Sequence, residues 1–157
     1  MDIELITVGK TTIGFVEEGI AEYCRRLKRY IPYGITQLAD VKNAGKLPEQ
    51  RQKELEGERI LAALQTSDYV VLLDERGREY SSIEFSAFLE KRMLSGLRRL
   101  VFMVGGPYGF SEAVYARADS KLSLSRMTFN HEMVRLFFTE QVYRALTILR
   151  GEPYHHE

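Results

Sequence analysis

Tryptophan is absent from this 157-residue chain, cysteine occurs once, and neither sign of charge is in excess. Each shortage excludes something. A lone Cys24 cannot close an intramolecular disulfide, which removes the stapled secreted scaffolds. The longest strongly apolar stretches, around Val70–Leu73 and Leu100–Val104, fall far short of the ~20 residues that a membrane-spanning helix needs. The N-terminus, Met1-Asp2-Ile3-Glu4, lacks the basic and apolar regions of a secretory signal. Together these predict a cytoplasmic protein with no membrane partner. With 22 basic residues against 22 acidic, indiscriminate binding of polyanions is excluded, so any nucleic-acid site must be local. The charge is nevertheless divided. Residues 1–90 carry 12 basic and 16 acidic side chains and residues 91–157 carry 10 and 6, so an anionic partner would meet the C-terminal part.

The length predicts one compact domain, residues 1–157. Ile3–Val8 is β-rich and closes on Gly9. Helical spacing of Phe15, Val16, Ile20, Tyr23, Leu27 and Tyr30 follows, and Pro32 and Gly34 end it. A second strand is expected at Ile35–Val41, a polar loop at Lys42–Leu47, and a helix from Pro48 to Leu64 whose charged front half is exposed. The continuous apolar runs Tyr69–Leu73 and Leu100–Val104 read as strands covered on both faces. Between them, Asp74–Glu79 reads as a loop. Ser81 with Glu84 forms a capping box for a helix with the apolar stripe Phe85, Phe88, Leu89 and Met93. A short helix to Arg117, a strand at Lys121–Leu124 and a helix at Glu132–Leu149 complete the order. Regular alternation of strand and helix predicts an α/β fold, a mostly parallel sheet with helices on both faces.

In such sheets ligands bind beyond the carboxyl ends of the strands, which selects Asp74–Glu79, Gly105–Phe110 and Ser125–His131. Adjacent Gly105 and Gly106 after a buried strand let backbone approach a ligand, although a plain strand-to-helix turn would use the same residues. Gly-Gly-Pro-Tyr-Gly is not the dinucleotide fingerprint, and Gly9-Lys10-Thr11 is not a P-loop, because Glu4 stands where its first glycine is required. His131, His155 and His156 lack metal-ligand spacing, and no nucleophile elbow appears. The last helix is apolar nearly all round, from Met133, Val134 and Leu136 to Leu149. One face covers the sheet; the other calls for a second copy of the chain, a homodimer.

Four separated segments, in order, carry a resemblance. Val101–Phe110, Leu122–His131, Glu140–Ala145 and Arg150–His155, with Val8-Gly9-Lys10 and Ala21-Glu22-Tyr23 near the start, are similar to the RlmH family, ribosomal large-subunit pseudouridine N3-methyltransferases of the SPOUT class. The resemblance implies a SPOUT-type fold with a C-terminal trefoil knot. It implies S-adenosylmethionine as methyl donor, no metal, and cofactor contacts at Leu73, Gly105, Leu124, Ser125, Arg126, Met127, Thr128 and Phe129. The implied acceptor is N3 of a pseudouridine in the helix 69 loop of 23S rRNA on the assembled ribosome.

Tyr154 and His155 are the catalytic candidates: a neutral histidine can take a proton near pH 7, and a tyrosine can stack on an exposed uracil-like ring. Taken alone, these residues also fit a frayed terminus. Where the family ends in a basic residue, His156-Glu157 stands here, which puts a phosphate contact at the last residues in doubt. Arg126, Arg135, Arg144 and Arg150 are candidates for contact with rRNA, or for pairing with Glu132 or Glu140. Gly105→Val is expected to abolish cofactor binding by filling the cofactor's space. A catalytically silent ribosome-binding module, or an α/β enzyme with another nucleotide, would carry much of the same pattern.

Overall fold

The computed structural model describes residues 1–156. Its strands are β1 (Asp2–Val8), β2 (Tyr33–Leu38), β3 (Tyr69–Glu79), β4 (Arg99–Val104) and β5 (Ser120–Ser123). The helices are α1 (Gly14–Leu27), α2 (Glu49–Ala62), α3 (Ser82–Leu94), α4 (Glu112–Arg117) and α5 (Met133–Leu149). All neighbouring strands pair in parallel, in the order β2-β1-β4-β3-β5. No helix among the described residues is long and apolar enough to cross a membrane.

The period-2 alternation of β4 explains why its apolar run is continuous. Leu100, Phe102 and Val104 join one core with Ile3, Leu5, Leu89, Phe138 and Val142, beneath α1, α3 and α5. Val101 and Met103 point the other way, into a second core with Ile6, Val70, Leu72, Ile60 and Val114 beneath α2 and α4. Phe102 and Phe138, with ring centroids 4.6 Å apart, join β4 to α5. Both are fully buried, worth roughly 1.5–3 kcal/mol each. The Ser81 capping box forms as expected: the hydroxyl accepts from the Glu84 amide at 3.1 Å and the Glu84 carboxylate accepts from the Ser81 amide at 2.8 Å.

Three expectations are corrected. β2 lies at Tyr33–Leu38 and not at Ile35–Val41, because Pro32 offers its carbonyl to the Ile3 amide at 2.9 Å and pairing with β1 begins at once. Met93 is exposed rather than part of the α3 stripe. Asp74–Glu79 is not a loop but the second half of β3. Leu122 of β5 pairs first with Leu73 and again with Arg78, so the segment between them bulges around it.

Gly77 occupies that bulge. A Cβ at this position would stand 2.5 Å from the Leu122 nitrogen and 2.7 Å from the Lys121 carbonyl carbon. Both are backbone atoms that cannot swing aside. Gly77→Ala is therefore expected to lower the unfolding free energy by about 1–3 kcal/mol in urea titration. Gly45→Ala, whose Cβ would meet open space, is expected to change it by less than about 0.5 kcal/mol.

Candidate active site

A cleft of about 600 Å³ opens at the carboxyl ends of β3, β4 and β5. Its walls are the three segments selected on the sequence. Leu73, Gly105, Leu124, Ser125, Met127, Thr128 and Phe129 all line it. Arg126 does not: its side chain is exposed and faces Glu79 at 3.8 Å.

The glycine turn is tight. The Gly109 amide donates to the Gly106 carbonyl at 3.1 Å, and Gly109 has φ +82°, a conformation that L side chains rarely adopt. A Cβ on Gly106 would meet a Glu56 carboxylate oxygen at 2.5 Å, so α2 packs directly beneath the turn. A Cβ on Gly105 would meet the Phe110 ring at 3.0 Å. A valine at Gly105 would therefore also press on the Phe110 ring, which itself lines the cleft. Beyond β5 the chain braces itself. Ser123 Oγ donates to the Ser125 carbonyl at 3.0 Å, and Ser125 Oγ accepts from the Met127 amide at 3.0 Å.

Tyr154 and His155 lie elsewhere on the chain. Neither lines the cleft of its own chain. Glu140 Oε1 accepts from the Tyr154 hydroxyl at 2.8 Å and from Arg144 at 2.7 Å. The Arg144 guanidinium lies 4.7 Å from the centroid of the Tyr154 ring. It also reaches His155 Nδ1 at 3.1 Å. Burial, then the bonds to Tyr23 and Glu140, raise the Tyr154 phenol well above its ordinary range, so it stays protonated. A guanidinium only donates, so in this contact Nδ1 of His155 is the acceptor.

Residues 1–155 match the family described as "Predicted SPOUT methyltransferase". The chain belongs to this family. It is 59% identical over 157 residues to a Parabacteroides distasonis protein named "Ribosomal RNA large subunit methyltransferase H", covering 100% of both chains. Proteins of the same name from Porphyromonas gingivalis and Flavobacterium johnsoniae are 58% and 52% identical, again over the whole of both chains. The SpoU methyltransferase AviRb from Streptomyces viridochromogenes, solved with AdoMet, is a remote likeness. Its TM-score is 0.44 at 13% identity, with 96% of this chain and 61% of that one covered.

In this SPOUT methyltransferase two of the candidate arginines are committed to the chain itself. Arg135 is 1% exposed. It donates to the carbonyls of Val8 and Gly9, both at 3.0 Å, and to Thr11 Oγ1 at 3.1 Å. That removes it from any RNA surface. Arg144 belongs to the C-terminal cluster, whereas Arg150 remains exposed, stacked 4.3 Å from the Tyr30 centroid. Sequence reasoning missed Glu49, Lys53 and Tyr115, which also line the cleft; His131 belongs to a segment already selected. The Tyr115 hydroxyl bonds the Asp74 carboxylate, and burial followed by that bond pushes the phenol up to about 12. Only the four-residue spacing of Glu49 and Lys53 on a helix poor in apolar residues signalled a polar wall. Among the described residues, no group of three or more His, Cys, Asp or Glu is placed to hold a metal.

Glu132 completes the clamp begun by Arg135. Its carboxylate accepts from the Thr12 amide at 2.6 Å, the Thr12 hydroxyl at 2.7 Å and the Ile13 amide at 2.9 Å. These bonds, that from Ile13 above all, hold its pKa down to about 2 from the usual 4.5. A depressed carboxyl contributes stability that is complete above the unfolded value and lost as the pH falls through the folded one. Denaturant titrations between about pH 5 and pH 2 are expected to show stability falling more steeply in the native protein than in Glu132→Gln. Parallel curves would show that the carboxylate contributes nothing in that window.

Proposed function

We propose that this protein transfers a methyl group from S-adenosylmethionine to N3 of a pseudouridine in the helix 69 loop of 23S rRNA. In this reading it acts in the cytoplasm, on the assembled ribosome, as a homodimer in which one protomer's cleft meets the partner's C-terminal tail. The observation that carries the reading is the cleft itself, bounded by the three strand-end segments that the family resemblance selects. Relatives that match over the full length and bear an rRNA methyltransferase name support the substrate class.

The residues present fit the cofactor. The cleft volume lies within the roughly 300–1,000 Å³ of small-molecule sites. Leu73, Leu124, Met127 and Phe129 supply apolar wall, and the glycine turn exposes backbone groups at close range. When bound, the cofactor supplies an activated methyl on a sulfonium. What remains for the protein is to hold donor carbon and acceptor nitrogen in line, and to help the N3 proton leave.

Two groups in the C-terminal cluster serve the second task. With Nδ1 accepting from Arg144, a neutral His155 would donate from Nε2–H to a carbonyl oxygen flanking N3, where negative charge collects as the proton passes to water. Tyr154, fixed by Glu140, offers a ring face and a hydroxyl to the base. Since cluster and cleft are separate on one chain, the partner must bring them together. Support for a dimer comes from apolar side chains left in solvent on α1, α5 and the segment before α5: Phe15 is 66% exposed, Phe137 41% and Met127 77%. A trefoil knot belongs to the same reading, on the strength of the family resemblance.

Ribosomes lacking the modification, incubated with the protein and labelled S-adenosylmethionine, should gain one labelled methyl on one helix 69 pseudouridine by mass spectrometry. Label on another base, or none, would refute the assignment. Chains carrying His155→Ala and Leu124→Arg, each inactive alone, should recover part of the activity when mixed if sites are shared between protomers. His155→Ala should lower kcat by about 10²–10³, and His155→Gln, which keeps a donor, by clearly less. Equal losses would point to a proton acceptor instead.

A further inference from the structure

The front of α2 is charged, and its charges are not neutralised by each other. Glu49 and Lys53 lie one helical turn apart in the order that favours an ion pair, and both line the cleft. Neither forms an ion pair with the other or with any described residue, whereas Arg51 on the same helix pairs with Glu54 at 3.4 Å. Their placement is enforced from below. Gln52 and Glu56, on the same side of the helix, are buried and bonded to each other at 3.1 Å, and the Glu56 carboxylate packs against Gly106. That contact seats α2 beside the glycine turn and leaves Glu49 and Lys53 facing the open volume.

An unpaired cation and an unpaired anion one helical turn apart complement a zwitterion. A phosphate would be drawn to Lys53 and repelled by Glu49; an α-amino acid group uses both. Resting on the cofactor reading above, we propose that Glu49 and Lys53 bind the amino-acid end of S-adenosylmethionine. Lys53 Nζ donates to the α-carboxylate, and a Glu49 carboxylate oxygen accepts from the α-ammonium. The cleft's other cation, Arg76, adjoins Asp74 and Glu75 in sequence, which offset its charge. α2 thereby becomes a fourth wall that selects for an intact amino-acid group.

Calorimetry with three ligands and no RNA tests this. S-adenosylmethionine and S-adenosylhomocysteine carry the amino-acid group; 5′-methylthioadenosine keeps the adenosyl thioether and lacks it. Lys53→Met is expected to raise Kd for the first two about tenfold and to leave methylthioadenosine unchanged. Glu49→Gln should act in the same direction with a smaller factor, and Lys53→Arg should recover most of the loss. Equal weakening of all three ligands would mean that Lys53 only shapes the cleft, and overturns the proposal. So would unchanged binding with a raised KM for ribosomes, which would make Lys53 an RNA contact. If the unaltered protein bound none of the three, the cofactor reading would fall and this one with it.

Discussion

The cleft depends on a single close approach between two stretches of backbone. Where β3 passes Leu122, the chain pairs with β5 at Leu73, swings out through Asp74–Gly77 and returns to pair again at Arg78. Such an excursion is possible only because Gly77 carries no side chain to strike the Lys121–Leu122 peptide. Asp74 Oδ1 stabilises the bulge by accepting from the Arg76 amide at 2.8 Å, and its other oxygen is bonded by Tyr115 from α4. Hence this stretch of β3 is drawn toward β5 and α4 and cannot lie flat along the sheet. Convergence of three strand-end segments on one volume follows from that contact.

A second constraint acts from the N-terminal end of α5. Buried charges are costly unless they are hydrogen-bonded; Glu132 is bonded largely to backbone, and Arg135 bonds through both terminal nitrogens while its Nε has no partner. The carboxylate takes the amides of Thr12 and Ile13, the two residues that lead into α1. The guanidinium takes the carbonyls that end β1. One helical turn thus closes both open ends of the β1–α1 connection. It also anchors the segment before α5, whose Met127, Thr128 and Phe129 form a wall of the cleft. Desolvation depresses the Arg135 pKa, and the charges of Glu132 and Asp40 oppose that shift.

The strand and helix order, the two-sided burial of β4 and the capping box were legible because each rests on local periodicity or a local bond. The second half of β3 was not, since Asp-Glu-Arg-Gly-Arg-Glu has no apolar period; its strand character comes from β5, some 40 residues later in the chain. Arg135 was misplaced for the opposite reason. Its charge on an apolar helix suggests an external anion, but the donors it supplies are needed by carbonyls 126 and 127 positions earlier. Seven of the eight expected cofactor residues reach the cleft because they belong to segments fixed by strand ends. Arg126, on an exposed turn among them, has nothing to direct its side chain inward.

α5 also links the two halves of the chemistry. Its first turn holds the β1–α1 connection, and two turns further on Glu140 and Arg144 hold Tyr154 and His155. Among the described residues the tail after Arg150 forms no strand or helix, and side chains of and beside α1 and α5 hold it: Tyr30, just after α1, donates to Glu152 at 2.5 Å, and Tyr143 of α5 meets the Tyr154 ring at 4.8 Å. Those same helices carry Phe15 and Phe137 in solvent. If the proposed dimer covers these two rings, the association that buries them also moves the Tyr154–His155 pair of the tail toward a second cleft. Burial of apolar surface and assembly of the methyl-acceptor site would then be one event, and a protomer that cannot pair would hold both halves of the machinery without ever joining them.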